Sequence, residues 1–285
     1  MEELTPELPP AVAPPASRGK RIRLWIGKRL VTVAILYAGL GAYALFFADR
    51  AIFHPQEPGY VDTPATIKLT TKDGARISAT YLRNPAARYT ILYSHGNAED
   101  IGDVRPLLEQ HERWGFSVFS YDYRGYGTSE GKPSERTTYE DVDAAFLHLT
   151  EKLQVPEDRI IVYGTSLGGG PSVDLASRKN VAGLVVQSAF VSAFRVVTHF
   201  RIFPWDEFDN LSKIGRVRCP VLVMHGRADT LIKFWHGERL FEAANEPKIN
   251  LWVDGAGHND FRQVAAPQVR EKLLELVKIV DARHP

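Results

Sequence analysis

Three residues, each in a glycine-containing loop, have the types and chain order needed for nucleophilic acyl transfer: Ser166, Asp229 and His258. Ser166 stands in Gly164-Thr165-Ser166-Leu167-Gly168. A serine hydroxyl is a poor nucleophile until a base takes its proton, and an imidazole base needs a carboxylate to hold its tautomer. Flanking glycines remove side chains that would collide if the serine rode a sharp strand-to-helix turn. The helix that follows such a turn aims backbone N–H groups at an oxyanion forming beside the hydroxyl.

The elements that must position these groups read as buried strands. Ile160-Ile161-Val162-Tyr163 precedes the serine loop, and Val221-Leu222-Val223-Met224-His225 precedes Gly226-Arg227-Ala228-Asp229. Ile249-Asn250-Leu251-Trp252-Val253 ends in Asp254-Gly255-Ala256-Gly257-His258. Short β-branched runs bounded by glycine or proline mark strands, and open α/β sheets place their chemistry at the strands' C-terminal ends. Further strands are expected at Thr66–Leu69, Ile77–Leu82, Thr90–Ser94, Phe116–Tyr121 and Val181–Gln187. Lys72-Asp73-Gly74 makes the first two of these an antiparallel hairpin. Helical patterns cover Val104–Trp114, Thr138–Lys152, Leu167–Ser177, Trp235–Ala244 and Pro267–Asp281. Strands alternating with helices predict an α/β fold: a mostly parallel eight-stranded sheet with helices on both faces.

An oxyanion hole requires two backbone donors. One expected donor is the N–H of Leu167, directly after the nucleophile; the other is the N–H of Asn97, in the loop after Thr90–Ser94. Gly96 lets that backbone turn toward a substrate, and His95 is read as a brace for the loop.

Rival readings of the same residue types are weaker. Asp122 and Asp254 compete with Asp229 as the acid, but Asp254 is only four residues from His258 and is expected to support that loop. Ser129 and Ser192 are loop serines without a turn of the required kind. Gly125-Tyr126-Gly127-Thr128-Ser129-Glu130-Gly131 follows a strand, yet Lys132-Pro133-Ser134 separates it from any helix, so no helix N-terminus faces a phosphate. The nine histidines show no H-x-x-x-H or H-E-x-x-H spacing. No cofactor and no metal is implied.

Taken together, His95-Gly96-Asn97, Tyr121-Asp122-Tyr123-Arg124-Gly125-Tyr126-Gly127, Gly164-Thr165-Ser166-Leu167-Gly168, His225-Gly226-Arg227-Ala228-Asp229 and Gly257-His258-Asn259-Asp260 resemble the α/β-hydrolase superfamily. More narrowly, they resemble its membrane-associated serine hydrolase-domain branch, which includes protein depalmitoylases and lies near the serine-aminopeptidase-like hydrolases. The resemblance runs from about Phe53 to the C-terminus and implies the α/β-hydrolase fold with a Ser-His-Asp triad. The depalmitoylases of that branch attach to membranes through an N-terminal cysteine cluster. This chain has one cysteine, Cys219, so that mode of attachment is closed to it.

The usual place for a lid in this fold lies between the strand ending near Gln187 and the one starting at Val221. About thirty residues are available, so any cap is small. It carries Phe190, Phe194, Phe200, Phe203, Trp205 and Phe208. Half of these are expected in the core; Phe190 and Phe194 are the candidates for an apolar wall against an acyl chain or aromatic ester. Arg195 and Arg201 are candidates to meet an anionic head group.

The N-terminus adds a membrane. Met1 to Ser17 is rich in proline and reads as disordered, and Arg18, Lys20, Arg21, Arg23, Lys28 and Arg29 form a basic run without an acid. Residues 1–29 are therefore expected as a disordered tail. The nineteen residues from Leu30 to Ala48 carry no charge. At about 1.5 Å per residue they reach just under the roughly 30 Å hydrocarbon core. Tyr43, Phe46 and Phe47 would then lie at the far interface, where aromatic rings are favoured. Ala42-Tyr43-Ala44 also has the form of a signal-peptide cleavage site. The apolar run continuing through Phe47 and the long preceding tail favour an anchor. The positive-inside rule keeps the tail cytoplasmic and puts the domain from residue 52 onward in a periplasm, lumen or extracellular space.

With 285 residues, 44% hydrophobic, the chain can build one large domain with a substantial core. A net charge of +1 without a basic face makes nucleic acid an unsuitable partner. The expected activity is hydrolysis of an ester or thioester of a hydrophobic acyl group. A serine-aminopeptidase-type peptidase is the alternative enzyme, disfavoured because neither a large cap nor an acidic cluster for a substrate amine is visible. A catalytically silent binding module of the same fold is the alternative from another class.

Overall fold

A computed structural model describes residues 18–283. The proline-rich tail from Met1 to Ser17 lies outside them. The chain divides into two compact units, with the boundary between Ala48 and Asp49.

One helix, α1 (Arg18–Ile52), of 35 residues, carries the first unit, and its last turn, Asp49–Ile52, belongs to the second. This corrects the expectation of disorder up to residue 29. Lys and Arg are good helix formers, and once an apolar segment has nucleated a helix, each further residue adds at small cost. Leu30, Leu36 and Phe46 are 65%, 67% and 82% exposed. From Leu30 to Ala48 no residue is charged, so apolar side chains fall on every face of that stretch. Trp25–Ile52, whose most apolar 18-residue stretch has a mean hydropathy of 2.0, is long and apolar enough to cross a membrane.

The second unit follows the order β1 (Ile67–Thr70), β2 (Arg76–Leu82), β3 (Thr90–Ser94), α2 (Arg105–Arg113), β4 (Ser117–Tyr121), α3 (Glu135–Leu147), β5 (Ile160–Thr165), α4 (Gly169–Arg178), β6 (Gly183–Gln187), α5 (Ala193–Thr198), α6 (Asn210–Ile214), β7 (Val221–Gly226), α7 (Trp235–Ala243), β8 (Lys248–Val253) and α8 (Phe261–Arg283). The eight strands form one open sheet in the order β1-β2-β4-β3-β5-β6-β7-β8. β1 and β2 are antiparallel, as is β2 against β4, and the remaining pairs are parallel. Strand order reverses direction at β3, which pairs with β4 on one side and β5 on the other. Such a switch point opens a crevice at the C-terminal ends of its strands.

Alternating side chains feed two cores. Leu92, Val162, Val221 and Val223 face one layer with Val142 and Phe146 of α3, Val173 of α4 and Leu240 of α7. Ile91, Tyr93, Ile161, Tyr163, Leu222 and Met224 face the other, with Leu108 of α2 and Phe261, Val269, Leu273 and Leu276 of α8. Helices on both faces leave only the strand ends open.

Local chemistry explains where elements begin. Ser134 caps α3 by accepting from the Thr137 N–H, while the Ser134 N–H donates to the Thr137 hydroxyl, a reciprocal box that starts the helix three residues before the apolar pattern does. Pro267 was expected at the helix start, but α8 begins at Phe261 and holds Pro267 inside. Buried Phe261 and Ala265 anchor those early turns against the sheet, and this packing outweighs the single backbone bond that proline forgoes. The short helices α5 and α6 make up the cap and have no apolar periodicity long enough to read in advance.

Candidate active site

β5 delivers Ser166 on a turn that only glycine neighbours permit. Ser166 itself has φ 54°, in the left-handed region, a conformation costing a non-glycine residue about 1–3 kcal/mol. A Cβ on Gly164 would lie 2.2 Å from the Gly168 carbonyl oxygen, and one on Gly168 would lie 2.1 Å from that of Ser94. Ser94 ends β3 and pairs with Gly164 of β5. The serine turn and the loop after β3 are therefore pressed together, backbone against backbone.

The loops after β7 and β8 bring two further groups to this point. His258 Nε2 is 3.0 Å from Ser166 Oγ, and His258 Nδ1 is 2.7 Å from Asp229 Oδ2. Asp229 Oδ1 accepts from the N–H groups of Leu231 and Ile232 at 2.9 and 2.8 Å. With Nδ1–H donating to the carboxylate, Nε2 is left as an acceptor for the serine proton. Burial alone would raise the Asp229 carboxyl, but hydrogen bonds from His225 and His258 and from the Ile232 N–H outweigh it and hold the group well below the ordinary carboxylate range. Asp229 is thus a fixed anion beneath the imidazole.

The loop after β3 lies on the other side of the serine. The first turn after β5 is a short 3₁₀ segment, Ser166–Gly168, so the N–H of Leu167 falls in the opening turn, where no intrahelical acceptor exists. The N–H of Asn97 donates to no group among the described residues. Gly96 N–H donates to Glu99 Oε2 at 3.0 Å, and Glu99 pairs with Arg262 at the start of α8, which ties this loop to the segment following His258. His95 is fully buried, its Nδ1 2.8 Å from the Gly96 carbonyl oxygen and its ring 4.3 Å from that of Tyr123. It contacts the loop, not the serine.

The rival acids are elsewhere. Asp122 receives the Tyr60 hydroxyl at 2.6 Å and the Ile101 N–H at 2.8 Å. Asp254 does not support its own loop: its side chain is 93% exposed and faces Arg227 at 3.2 Å. Ser129 and Ser192 are consumed by the Asp122 carbonyl and the Asp206 carboxylate.

In the cap, Phe190, Phe203 and Phe208 are buried and Phe200 is exposed. Phe190 packs its ring against Phe208 at 6.3 Å, within the main core. Phe194 is half-buried, its ring 6.3 Å from Phe203. Arg195 and Arg201, expected to meet a head group, are engaged inside the cap: Arg195 faces Asp206 at 3.6 Å, and Arg201 donates to the carbonyls of Phe203 and Pro204. Folding also assembles carboxylates that are scattered in sequence. Glu207 lies by Glu135, and burial first, then that neighbour, pushes the Glu207 carboxyl above its ordinary range. Among the described residues, no three His, Cys, Asp or Glu side chains are grouped so as to hold a metal ion.

Three contributors escaped the sequence reading. His225 places Nε2 3.4 Å from Asp229 Oδ2 while donating to the Ile232 carbonyl. Asp260 accepts the Gly257 N–H at 2.6 Å, fixing the loop that carries His258. Glu99 braces Gly96. The alternating run that contains His225 and the Gly-x-x-Asp spacing before Asp260 were the available signals; Glu99 offered none.

Residues 85–203 match the family model described as serine aminopeptidase, S33. The chain is 43% identical over 194 residues to α/β hydrolase domain-containing protein 17B of Xenopus tropicalis, covering 67% of each chain. It is 44% identical over 224 residues to α/β hydrolase domain-containing protein aho-3 of Caenorhabditis elegans, covering 76% of this chain and 67% of that one. Among solved structures, an esterase of Pyrococcus furiosus superposes with a TM-score of 0.68 at 20% identity, over 80% of this chain and 97% of that one.

Proposed function

Since the chain belongs to the α/β-hydrolase superfamily, we propose that it is a serine hydrolase that cleaves carboxylic esters or thioesters of hydrophobic acyl groups. The observation that carries this reading is the imidazole of His258, 3.0 Å from Ser166 Oγ through one nitrogen and 2.7 Å from Asp229 through the other. Ser166 Oγ attacks the acyl carbonyl carbon as His258 Nε2 takes its proton. Negative charge gathers on the carbonyl oxygen and is met by the N–H groups of Leu167 and Asn97. Collapse of the tetrahedral species breaks the bond to the leaving oxygen or sulfur, which receives the proton from His258. Water then attacks the acyl-enzyme, again deprotonated by His258, and releases the acid and Ser166. Asp229 keeps Nδ1–H oriented throughout and remains ionised.

Phe194 is the cap side chain we assign to the acyl group, whereas Phe190 is committed to packing on Phe208. The substrate class also follows from the anchor, which we place at Leu30–Ala48 with the basic tail cytoplasmic and the catalytic unit from residue 52 across the bilayer. A hydrolase fixed to a membrane meets acyl groups at high local concentration. A fluorophosphonate probe tests the central reading: it should modify Ser166, identified by peptide mass, and abolish turnover of medium-chain acyl esters. An intact Ser166 after exhaustive treatment would leave the fold as a binding module.

A further inference from the structure

The loop that carries Asn97 is held by its own side chain to the stretch Ile52–His54, the last residue of α1 and the two that follow it. Asn97 Nδ2 donates to the Ile52 carbonyl at 2.6 Å, and Asn97 Oδ1 accepts the His54 N–H at 3.0 Å. The amide thus clasps the backbone on both sides of Phe53, like a rung between two strands. Tyr126 closes the clasp, its hydroxyl donating to Asn97 Oδ1 at 2.6 Å and lying 3.2 Å from the His54 nitrogen. Phe53 is 5% exposed and its ring lies 5.9 Å from that of Phe208. Phe208 in turn presses on Gly170, where a Cβ would meet its Cδ1 at 2.3 Å. Gly170 belongs to α4, the helix that starts one residue after the serine turn.

Both expected oxyanion donors are therefore referred to one short stretch. Asn97 is bonded to Ile52 and His54 directly, and the turn bearing Leu167 is reached through Phe53, Phe208 and Gly170. We propose that Ile52–His54, where the chain leaves α1, is a strap that positions the oxyanion loop, with the Asn97 side chain as its clasp and Tyr126 as its support. This rests on the serine-hydrolase reading of the site. Asn97 then has two separable tasks: its N–H faces the substrate oxygen, while its amide side chain keeps that N–H in place. Because an error of about 1 Å in such a donor costs on the order of 100-fold in rate, a loop this small needs an external tether. The tether is Ile52–His54, which lies wholly within the second unit, so the seating of these three residues sets the loop.

The test uses the full-length protein in detergent micelles, a short p-nitrophenyl ester, and the variants Asn97→Ala and Tyr126→Phe. Asn97→Ala keeps the backbone N–H and removes the clasp; it should lower kcat about 10- to 100-fold, with KM within about twofold and a fall in the thermal unfolding midpoint no larger than the lost hydrogen bonds explain. Tyr126→Phe removes one hydroxyl and should lower kcat by a smaller factor, about 3- to 10-fold. The rate of phosphonate capture at Ser166 should fall in parallel in both, reaching full labelling at long times. Wild-type kcat in both variants, or a change confined to KM, overturns the strap while Ser166 labelling in the wild type preserves the hydrolase reading. No labelling and no turnover in the wild type overturns both. If Asn97→Ala fails to fold, Tyr126→Phe decides alone.

Discussion

Gly168 and Ser94 meet across the junction of β5 and β3, so closely that a methyl group on Gly168 would sit 2.1 Å from the Ser94 carbonyl oxygen. No side-chain rotation relieves a backbone contact of this kind. Gly168→Ala must therefore push the serine turn away from the loop after β3, separating the two proposed oxyanion donors. We expect kcat to fall by at least about 100-fold together with a loss of several kcal/mol in stability. Steady-state kinetics and thermal unfolding of the same preparation check this. Wild-type turnover by Gly168→Ala would show that the two loops are not required in contact.

The Ser166–His258–Asp229 chain should behave as one device. Ser166→Ala, His258→Ala and Asp229→Ala should each lower kcat by on the order of 10⁴-fold or more, and the double variants should add little. Asp254→Ala, which removes only an exposed partner of Arg227, should retain near-normal turnover. A reversal of the two aspartates in rate measurements would move the acid to Asp254.

His111 supplies a pH dependence of stability. It is buried on α2 against Trp114 and Tyr163, both ring nitrogens lack a partner among the described residues, and burial pushes its imidazole down to about 3 from 6.5. The folded state holds the neutral ring while the unfolded chain takes a proton below 6.5. Stability from this group is thus complete above pH 6.5 and is lost as pH falls toward 3. In His111→Phe that loss is absent, so the variant's advantage over wild type should grow by about 2 kcal/mol between pH 7 and pH 5. Urea unfolding at the two pH values measures it; an advantage independent of pH would mean that His111 is solvated.

Much of this architecture is legible in the chain because strands and the glycine-marked loops that follow them are local signals. Val221–His225 alternates between two cores, and Gly226 and Gly257 mark where the loops with Asp229 and His258 turn. What was hidden is relational. Asn97 and Ile52 stand 45 residues apart, and Glu99 and Arg262 stand 163 apart. Nothing in either side chain's type announces its partner. The start of α1 and the placement of Pro267 were misjudged for a different reason: helix propagation and burial against the sheet override the local preference of single residues.

Six cations from Arg18 to Arg29 precede an uncharged stretch of nineteen residues, and α1 runs unbroken through both. Cations flanking a short span favour retention on the cytoplasmic side. The chain should therefore stay with the membrane after carbonate and after high-salt washing, since a spanning helix survives removal of electrostatic attachment. Protease added from the cytoplasmic face should trim the proline-rich tail and leave the unit from Asp49 onward protected. A glycosylation acceptor sequence engineered into the exposed turn at Lys72–Gly74 should be modified when the chain is expressed in a eukaryotic secretory membrane. Cleavage of the unit from Asp49 onward by the cytoplasmic protease, with the tail spared, would reverse the orientation. A mature protein beginning just after Ala44 and found in the soluble fraction would make the apolar stretch a signal peptide, and the site on the other unit would then act free of the membrane.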